Sequence, residues 1–81
     1  MQTLLRYIVE QLVEDKDNIE ILETNESEKV VILDLKVSKN DIGKVIGRNG
    51  KVASSIRTIL RSASSKSGKR YIVKIGEKEE N

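Results

Sequence analysis

The chain contains no cysteine, histidine, proline, phenylalanine or tryptophan. Without cysteine it can form neither a disulfide nor a thiolate metal site, and without cysteine and histidine it lacks the commonest nucleophiles and general bases. Its two aromatic residues are Tyr7 and Tyr71, so Leu, Ile and Val have to supply the core. These absences favour a protein that is not an enzyme and has no catalytic residues, no cofactor and no metal site.

Long apolar runs are also missing. No stretch approaches the roughly 20 residues that span a bilayer, and residues 1–6 do not place a basic stretch before an apolar one, so we expect no membrane association, no signal peptide and a cytoplasmic location. The 81 residues contain no Pro-, Ser- or Gly-rich linker. We therefore predict one domain over residues 1–76, followed by a charged C-terminal tail over residues 77–81.

Charge is divided unevenly along the chain. Residues 1–37 carry four Lys and Arg against nine Asp and Glu, a net charge of −5, whereas residues 38–75 carry ten basic residues against Asp41 alone, a net charge of +9. Such a division suggests one face for a polyanion and another turned away from it, although both sets of charges could equally solvate helices.

Hydrophobic periodicity predicts six elements in the order helix, strand, strand, helix, helix, strand. The first helix has its apolar face over residues 4–13, and a turn at residues 15–18 precedes a strand that begins near Ile19. A second strand covers residues 30–37. A short helix is predicted over residues 39–46 with Ser38 as its N-cap and Asp41 completing a capping-box-like start. The remaining apolar positions form a stripe on the next helix, Val52, Ile56, Ile59, Leu60 and Ala63, and an alternating last strand, Tyr71, Val73 and Ile75.

The two later helices meet at Gly47-Arg48-Asn49-Gly50. A glycine at each end removes the Cβ that would obstruct positive φ angles and lets a ligand approach the main chain. The free N–H groups at the start of the following helix suit a phosphate, and Arg48, Lys51 and Lys44 add full charges. The sequence therefore predicts a sugar-phosphate clamp, although two glycines at this spacing are more often a helix cap and a turn.

Two better-known phosphate motifs do not fit. Only two residues separate Gly47 from Gly50, and Val52 stands where a P-loop has Ser or Thr after its Lys. The glycines at 43, 47 and 50 lie in helical sequence, without the preceding buried strand and the later acidic residue of a dinucleotide site.

Residues 42–51 read Ile-Gly-Lys-Val-Ile-Gly-Arg-Asn-Gly-Lys and resemble the signature of the KH domain, and the element order resembles its type II arrangement. Residues 43–70, which include Ile56-Arg57-Thr58-Ile59-Leu60 and Ser67-Gly68-Lys69-Arg70, are similar to the small bacterial RNA-binding KhpA family. The resemblance implies an α+β fold, a single type II KH-like domain of order αββααβ whose three-stranded mixed sheet carries three helices on one face.

The resemblance also implies a function, in which KH domains hold about four unpaired nucleotides by the G-x-x-G backbone. We accordingly expect a single-stranded RNA-binding protein, an RNA chaperone or post-transcriptional regulator, with Ile46, Val37 and Ile56 as apolar surface under the bases, although such aliphatics are more often core. Aromatic stacking is not expected, so binding should be weak, salt-sensitive and only mildly selective. The implied RNA-binding residues are Gly43, Lys44, Ile46, Gly47, Arg48, Asn49, Gly50, Lys51 and Arg57.

A second hypothesis is a protein-interaction module that uses the same G-x-x-G surface. KhpA-like proteins are associated with homodimers and with heterodimers formed with a larger KH-containing protein. A domain this small would gain stability from either kind of pairing. The sequence does not decide whether RNA and a protein partner compete for the surface.

Overall fold

The computed structural model describes residues 1–79 as three helices and a three-stranded sheet. Two short 3-10 turns, Lys16–Asn18 and Arg48–Gly50, lie between them. The elements are α1 Gln2–Glu10, β1 Glu20–Asn25, β2 Val30–Val37, α2 Ile42–Ile46, α3 Lys51–Ser64 and β3 Arg70–Glu77. The predicted α+β order αββααβ is confirmed.

The sheet is mixed, with the strand order β1-β2-β3. β1 and β2 form an antiparallel hairpin in which Glu23 faces Leu33, and β2 runs parallel to β3 with Leu33 beside Val73. A parallel pair needs a long crossover connection, and residues 38–69, which contain α2 and α3, supply it. The bend between α2 and α3 therefore lies within this crossover connection.

All three helices cover one face of the sheet, as predicted. The strict alternation of β2 decides this, because Val31, Leu33, Leu35 and Val37 are all buried while the residues between them are half-buried or exposed. Helical residues complete the core from above, namely Leu5, Val9, Val45, Ala53, Ile56 and Leu60. In the part of the chain that the structure describes, no helix is both long and apolar enough to cross a membrane.

Two helical predictions need correction. α1 ends at Glu10, yet Val13 is still buried in the core together with Leu5 and Val9. On α3 the inward positions are Ala53, Ile56, Leu60 and Ser64, whereas Ile59 is 44% exposed and Ala63 is exposed. The buried stripe is rotated from the predicted one because small side chains, Ala53 and Ser64, occupy the places closest to the sheet.

The predicted capping box at Ser38 is wrong. α2 begins only at Ile42, and Asp41 makes no side-chain cap to it. Instead the buried Asp41 carboxylate accepts backbone N–H bonds from Glu14, at 3.1 Å, and from Asp15, at 3.0 Å. Ser38 Oγ lies 3.1 Å from the same carboxylate. Asp41 therefore ties the segment after α1 to the start of α2, a contact between residues 26 positions apart that local patterns cannot reveal.

β3 extends further than the predicted tail boundary allows. Glu77 is the last residue of the strand, and the backbone N–H of Lys78 donates to the carbonyl of Val37 at 2.7 Å. Within the predicted tail 77–81, residues 80 and 81 lie outside the described residues. The described part of that tail therefore begins as sheet.

Acid should weaken the fold through Asp41. The two backbone donors, from Asp15 and Glu14, lower the pKa of its carboxyl from 3.8 to about 2. A carboxyl whose pKa is lower in the folded state stabilises that state fully above pH 3.8, and the stabilisation is lost as the pH falls towards about 2. We expect Asp41→Asn to lower the urea midpoint at neutral pH and to flatten the pH dependence of the unfolding free energy across this window.

Urea denaturation at several pH values measures both effects, with the exposed Asp17→Asn as the matched control. If Asp41→Asn and the wild type lose stability in parallel between pH 3.8 and about 2, Asp41 is not the group responsible.

Candidate functional site

The chain reverses between α2 and α3 in a bend of four residues, Gly47 to Gly50. The φ angle is +74° at Gly47, +56° at Asn49 and +74° at Gly50. Asparagine tolerates such angles better than most residues with a side chain, and glycine adopts them freely. The backbone N–H of Gly47 closes α2 on the carbonyl of Gly43 at 2.9 Å, and that of Gly50 returns to the carbonyl of Gly47 at 3.2 Å.

Gly47 has the strictest position in this bend. Its ψ angle of 174° combined with a positive φ is a conformation that is essentially restricted to glycine. A Cβ at this position would also lie 2.4 Å from Val52 Cγ2 and 2.9 Å from the Val52 backbone nitrogen. The first turn of α3 therefore packs directly on the bare Gly47 backbone, whereas a Cβ at Gly50 would meet nothing within 4 Å.

The start of α3 faces this bend, where the backbone N–H of Lys51 donates to the carbonyl of Arg48. Gly50 is the N-cap and offers no side-chain bond to the first N–H groups of the helix, which carry the positive end of the helix dipole. Arg48, Asn49 and Lys51 are all exposed around them. The five predicted residues from Gly47 to Lys51 thus form one positive, solvent-facing surface, which we call the clamp.

Four apolar or small residues near the clamp were predicted to line a groove. Gly43 is exposed, and a Cβ there would point into open space. Ile46 is 38% exposed at the end of α2. Val37 and Ile56 are buried in the core, so the expectation that they form surface under bases is wrong for both. Alternation in β2 and the helical stripe of α3 commit them to the interior.

Lys44 is paired with two protein carboxylates, one of them in the acidic half of the chain. Its Nζ lies 3.0 Å from Glu14 Oε1 and 3.3 Å from Asp41 Oδ1. These partners, Glu14 first, raise the pKa of the Lys44 amine above its usual value despite partial desolvation. In this arrangement the charge of Lys44 is already compensated by protein carboxylates.

Arg57 connects α3 to β3. Its Nε and Nη2 donate to the main-chain carbonyl of Val73 at 3.4 and 3.2 Å. Beside this contact a groove with a volume of about 650 Å³ runs between α3, the connection after it and β3. Further cations line it, namely Arg61, Lys69 and Arg70.

These three cations and Tyr71 are not among the predicted site residues. Tyr71 is half-buried and lines the groove beside these cations. The one available signal was the run of basic residues after Arg57. Only the fold shows that the C-terminal half of α3 and the start of β3 border the same groove.

No carboxylate of residues 1–79 pairs with the cations of the clamp or of the groove. Among residues 1–79 both salt bridges involve Lys44, and no carboxylate lies within 4.0 Å of the charged groups of Arg48, Lys51, Arg57, Arg61, Lys69 or Arg70. Unpaired cations on one side of a small domain give a positive potential that attracts polyanions. The chemistry of this surface is therefore that of an anion-binding groove.

Comparison with known proteins agrees with this description. The family described as "KhpA/KhpB, KH domain" matches residues 2–75. The chain is 41% identical to the RNA-binding protein KhpA of Clostridium acetobutylicum over 75 residues, which cover 93% of this chain and 99% of that protein. It is 42% identical to the RNA-binding protein KhpA of Borreliella burgdorferi, with 89% of this chain and 87% of that protein covered. No solved structure matches the chain significantly.

A series of glycine-to-alanine variants should separate the three glycines of this region. Gly43→Ala should be neutral or stabilise by about 0.5–1 kcal/mol, because alanine is the better helix former and has room. Gly50→Ala should cost about 1–2 kcal/mol for its left-handed backbone alone. Gly47→Ala should cost more than Gly50→Ala, because it adds the collision with Val52.

Urea unfolding followed by circular dichroism gives this order directly. Equal stability of the Gly47→Ala and Gly50→Ala proteins would show that α3 does not pack on the Gly47 backbone.

Proposed function

The chain belongs to the KhpA/KhpB family of KH domains, and from this premise we propose that it binds single-stranded RNA by holding the sugar-phosphate backbone at the clamp. KH domains clamp about four nucleotides with their G-x-x-G loop. The observation that carries the proposal is the clamp itself, where bare backbone, the uncapped start of α3 and two unpaired cations meet at the surface.

A phosphate would be recognised here through several donors at once. Free N–H groups at a helix N-terminus bind anions well, and Arg48 can add a bidentate contact that a lysine cannot. Gly43 offers no side chain where the strand passes α2, and the exposed part of Ile46 can contact a base. None of these contacts reads a base edge, so sequence preference should be mild.

From the clamp we propose that the strand continues along the groove between α3 and β3. The 14 residues of α3 extend about 20 Å, so the clamp and the far end of the groove lie at opposite ends of the helix. Arg61, Lys69 and Arg70 would face phosphates there, and the ring of Tyr71 could stack on a base.

Binding of this kind suits an RNA chaperone or a post-transcriptional regulator. A weak, salt-sensitive hold on unpaired segments allows rapid exchange between transcripts. Pairing with a second copy, or with a larger KH-containing protein, is the alternative use of the same surface. The partly exposed Ile46 and Ile59 are the residues that favour it.

Replacing Arg48 and Asn49 together by Asp should abolish RNA binding without unfolding the protein. Asp tolerates the left-handed backbone of Asn49, and both side chains are exposed, so the fold should be kept while two negative charges repel the phosphates. We expect the affinity for a labelled single-stranded oligonucleotide to fall at least tenfold. For three or four neutralised phosphates, the wild-type log affinity should fall with log salt at a slope of roughly −2 to −3.

The matched control is Asn25→Asp with Lys29→Asp, which changes the net charge equally at the β1–β2 connection. Fluorescence anisotropy with single- and double-stranded oligonucleotides at two salt concentrations measures the effect. Equal binding by the two double variants, or a preference of the wild type for duplex RNA, would refute the clamp. Sedimentation of the same samples tests the alternative, since a dimer that RNA does not disturb would favour protein pairing.

Loss of the groove cations should affect long ligands only. Arg61→Gln with Lys69→Gln should leave the affinity for a four-nucleotide RNA unchanged, because the clamp is intact, but should remove the gain that the wild type shows with a ten-nucleotide RNA. Lys16→Gln with Lys29→Gln removes two charges from the acidic half and serves as the control. If the long and short oligonucleotides lose affinity equally, the strand does not follow the groove.

A further inference from the structure

Lys44 is held by two carboxylates that differ in burial. Asp41 is buried, and its oxygens accept bonds from two backbone N–H groups, from Ser38 Oγ and from Lys44 Nζ. The side chain of Glu14 is 87% exposed, and its carboxylate is 3.0 Å from Lys44 Nζ on the solvent side. Asp41 is therefore a fixed, internal partner of Lys44, whereas Glu14 is an external one.

The position of Glu14 is nevertheless set by the fold. Its own backbone N–H donates to Asp41 Oδ1 at 3.1 Å, so the residue is anchored beside the start of α2. The ion pair with Lys44 thus follows from the contact between the α1–β1 segment and α2. A lysine ammonium has three donors, and the structure uses one towards Asp41 and one towards Glu14.

Lys44 lies on α2 one turn before the clamp. Its side chain is 41% exposed, so a phosphate on a strand that leaves the clamp along α2 could approach the same ammonium. Glu14 already fills the outward position with a negative charge.

We propose that Glu14 competes with RNA phosphate for Lys44 and thereby limits the affinity of the clamp. The inference rests on the proposed RNA binding at Gly47–Lys51 and adds a residue, remote in sequence and of opposite charge, that controls it. In the wild type Arg48 and Lys51 neutralise phosphate while Lys44 stays with its carboxylates. An exposed ion pair is weak, so by holding Lys44 the Glu14 carboxylate withholds one phosphate contact and lowers the affinity without abolishing binding.

Glu14→Gln tests the proposal, because the amide keeps the shape of the side chain and removes its charge. We expect the affinity for a single-stranded RNA to rise about three- to fivefold at low salt. One additional phosphate contact should also steepen the salt slope by about 0.7. Glu10→Gln, one turn earlier in the chain, removes the same charge from a residue that makes no ion pair among residues 1–79, and it should change the affinity by less than about 1.5-fold.

Lys44→Met completes a double-mutant cycle. In the wild-type background it should change RNA affinity by less than about twofold, and combined with Glu14→Gln it should cancel the gain. Equal gains from Glu14→Gln and Glu10→Gln, or a gain that survives in the Glu14→Gln, Lys44→Met protein, would overturn the proposal. A wild type that binds no RNA would instead refute the proposed function, so the two failures can be told apart.

Discussion

The packing of α3 on the Gly47 backbone constrains how α2 and α3 are arranged over the sheet. The start of α3 packs on Gly47 so closely that a Cβ would lie 2.4 Å from Val52 Cγ2. This contact brings Val45 and Ala53 into the core together and turns the uncapped end of α3 outwards. The missing side chain of Gly47 thus permits this tight packing and also leaves the main chain of the bend bare.

Asp41 performs the complementary task of joining the two oppositely charged halves of the chain. As the one acidic residue among residues 38–75, it lies in the basic half and binds the backbone of Glu14 and Asp15 in the acidic half. Its charge is stabilised by donors and not by surrounding water, which is why its pKa lies well below the ordinary value. One buried carboxylate therefore links the acidic and the basic half of the chain, in addition to the pairing of β2 with β3.

The sequence predicts those features that depend on local periodicity. The alternation of Val31, Leu33, Leu35 and Val37 fixed β2 and its buried face, and the two glycines marked the bend between α2 and α3. Contacts between distant segments could not be predicted. Ser38, with Asp41 three residues later, resembled a capping box. The Asp41 carboxylate instead has backbone partners that are 26 and 27 residues away.

The candidate site also has one part that the sequence predicts and another that only the fold reveals. Gly47 to Lys51 are consecutive, so their proximity follows from the sequence. Tertiary packing determines the ion pair of Lys44 with Glu14 and the hydrogen bond from Arg57 to Val73. The strand order determines that Arg61 and Arg70 line the same groove. The basic residues in the sequence therefore show which half of the chain is positively charged. They do not show which of these cations pair with a carboxylate in the folded protein.

The cations beside β3 can also protect the exposed edge of the sheet. β3 is an outer strand of the described sheet, and an outer strand with unpaired main-chain groups invites pairing with other chains unless charge or a side chain protects it. Arg57 occupies the Val73 carbonyl on that edge, and Arg61, Lys69 and Arg70 surround it with like charge. A second β-strand would have to displace the guanidinium and approach this charge, whereas a polyanion is attracted by it. The same residues can therefore disfavour strand addition while attracting a polyanion, and so small a domain can keep an open sheet edge beside this groove.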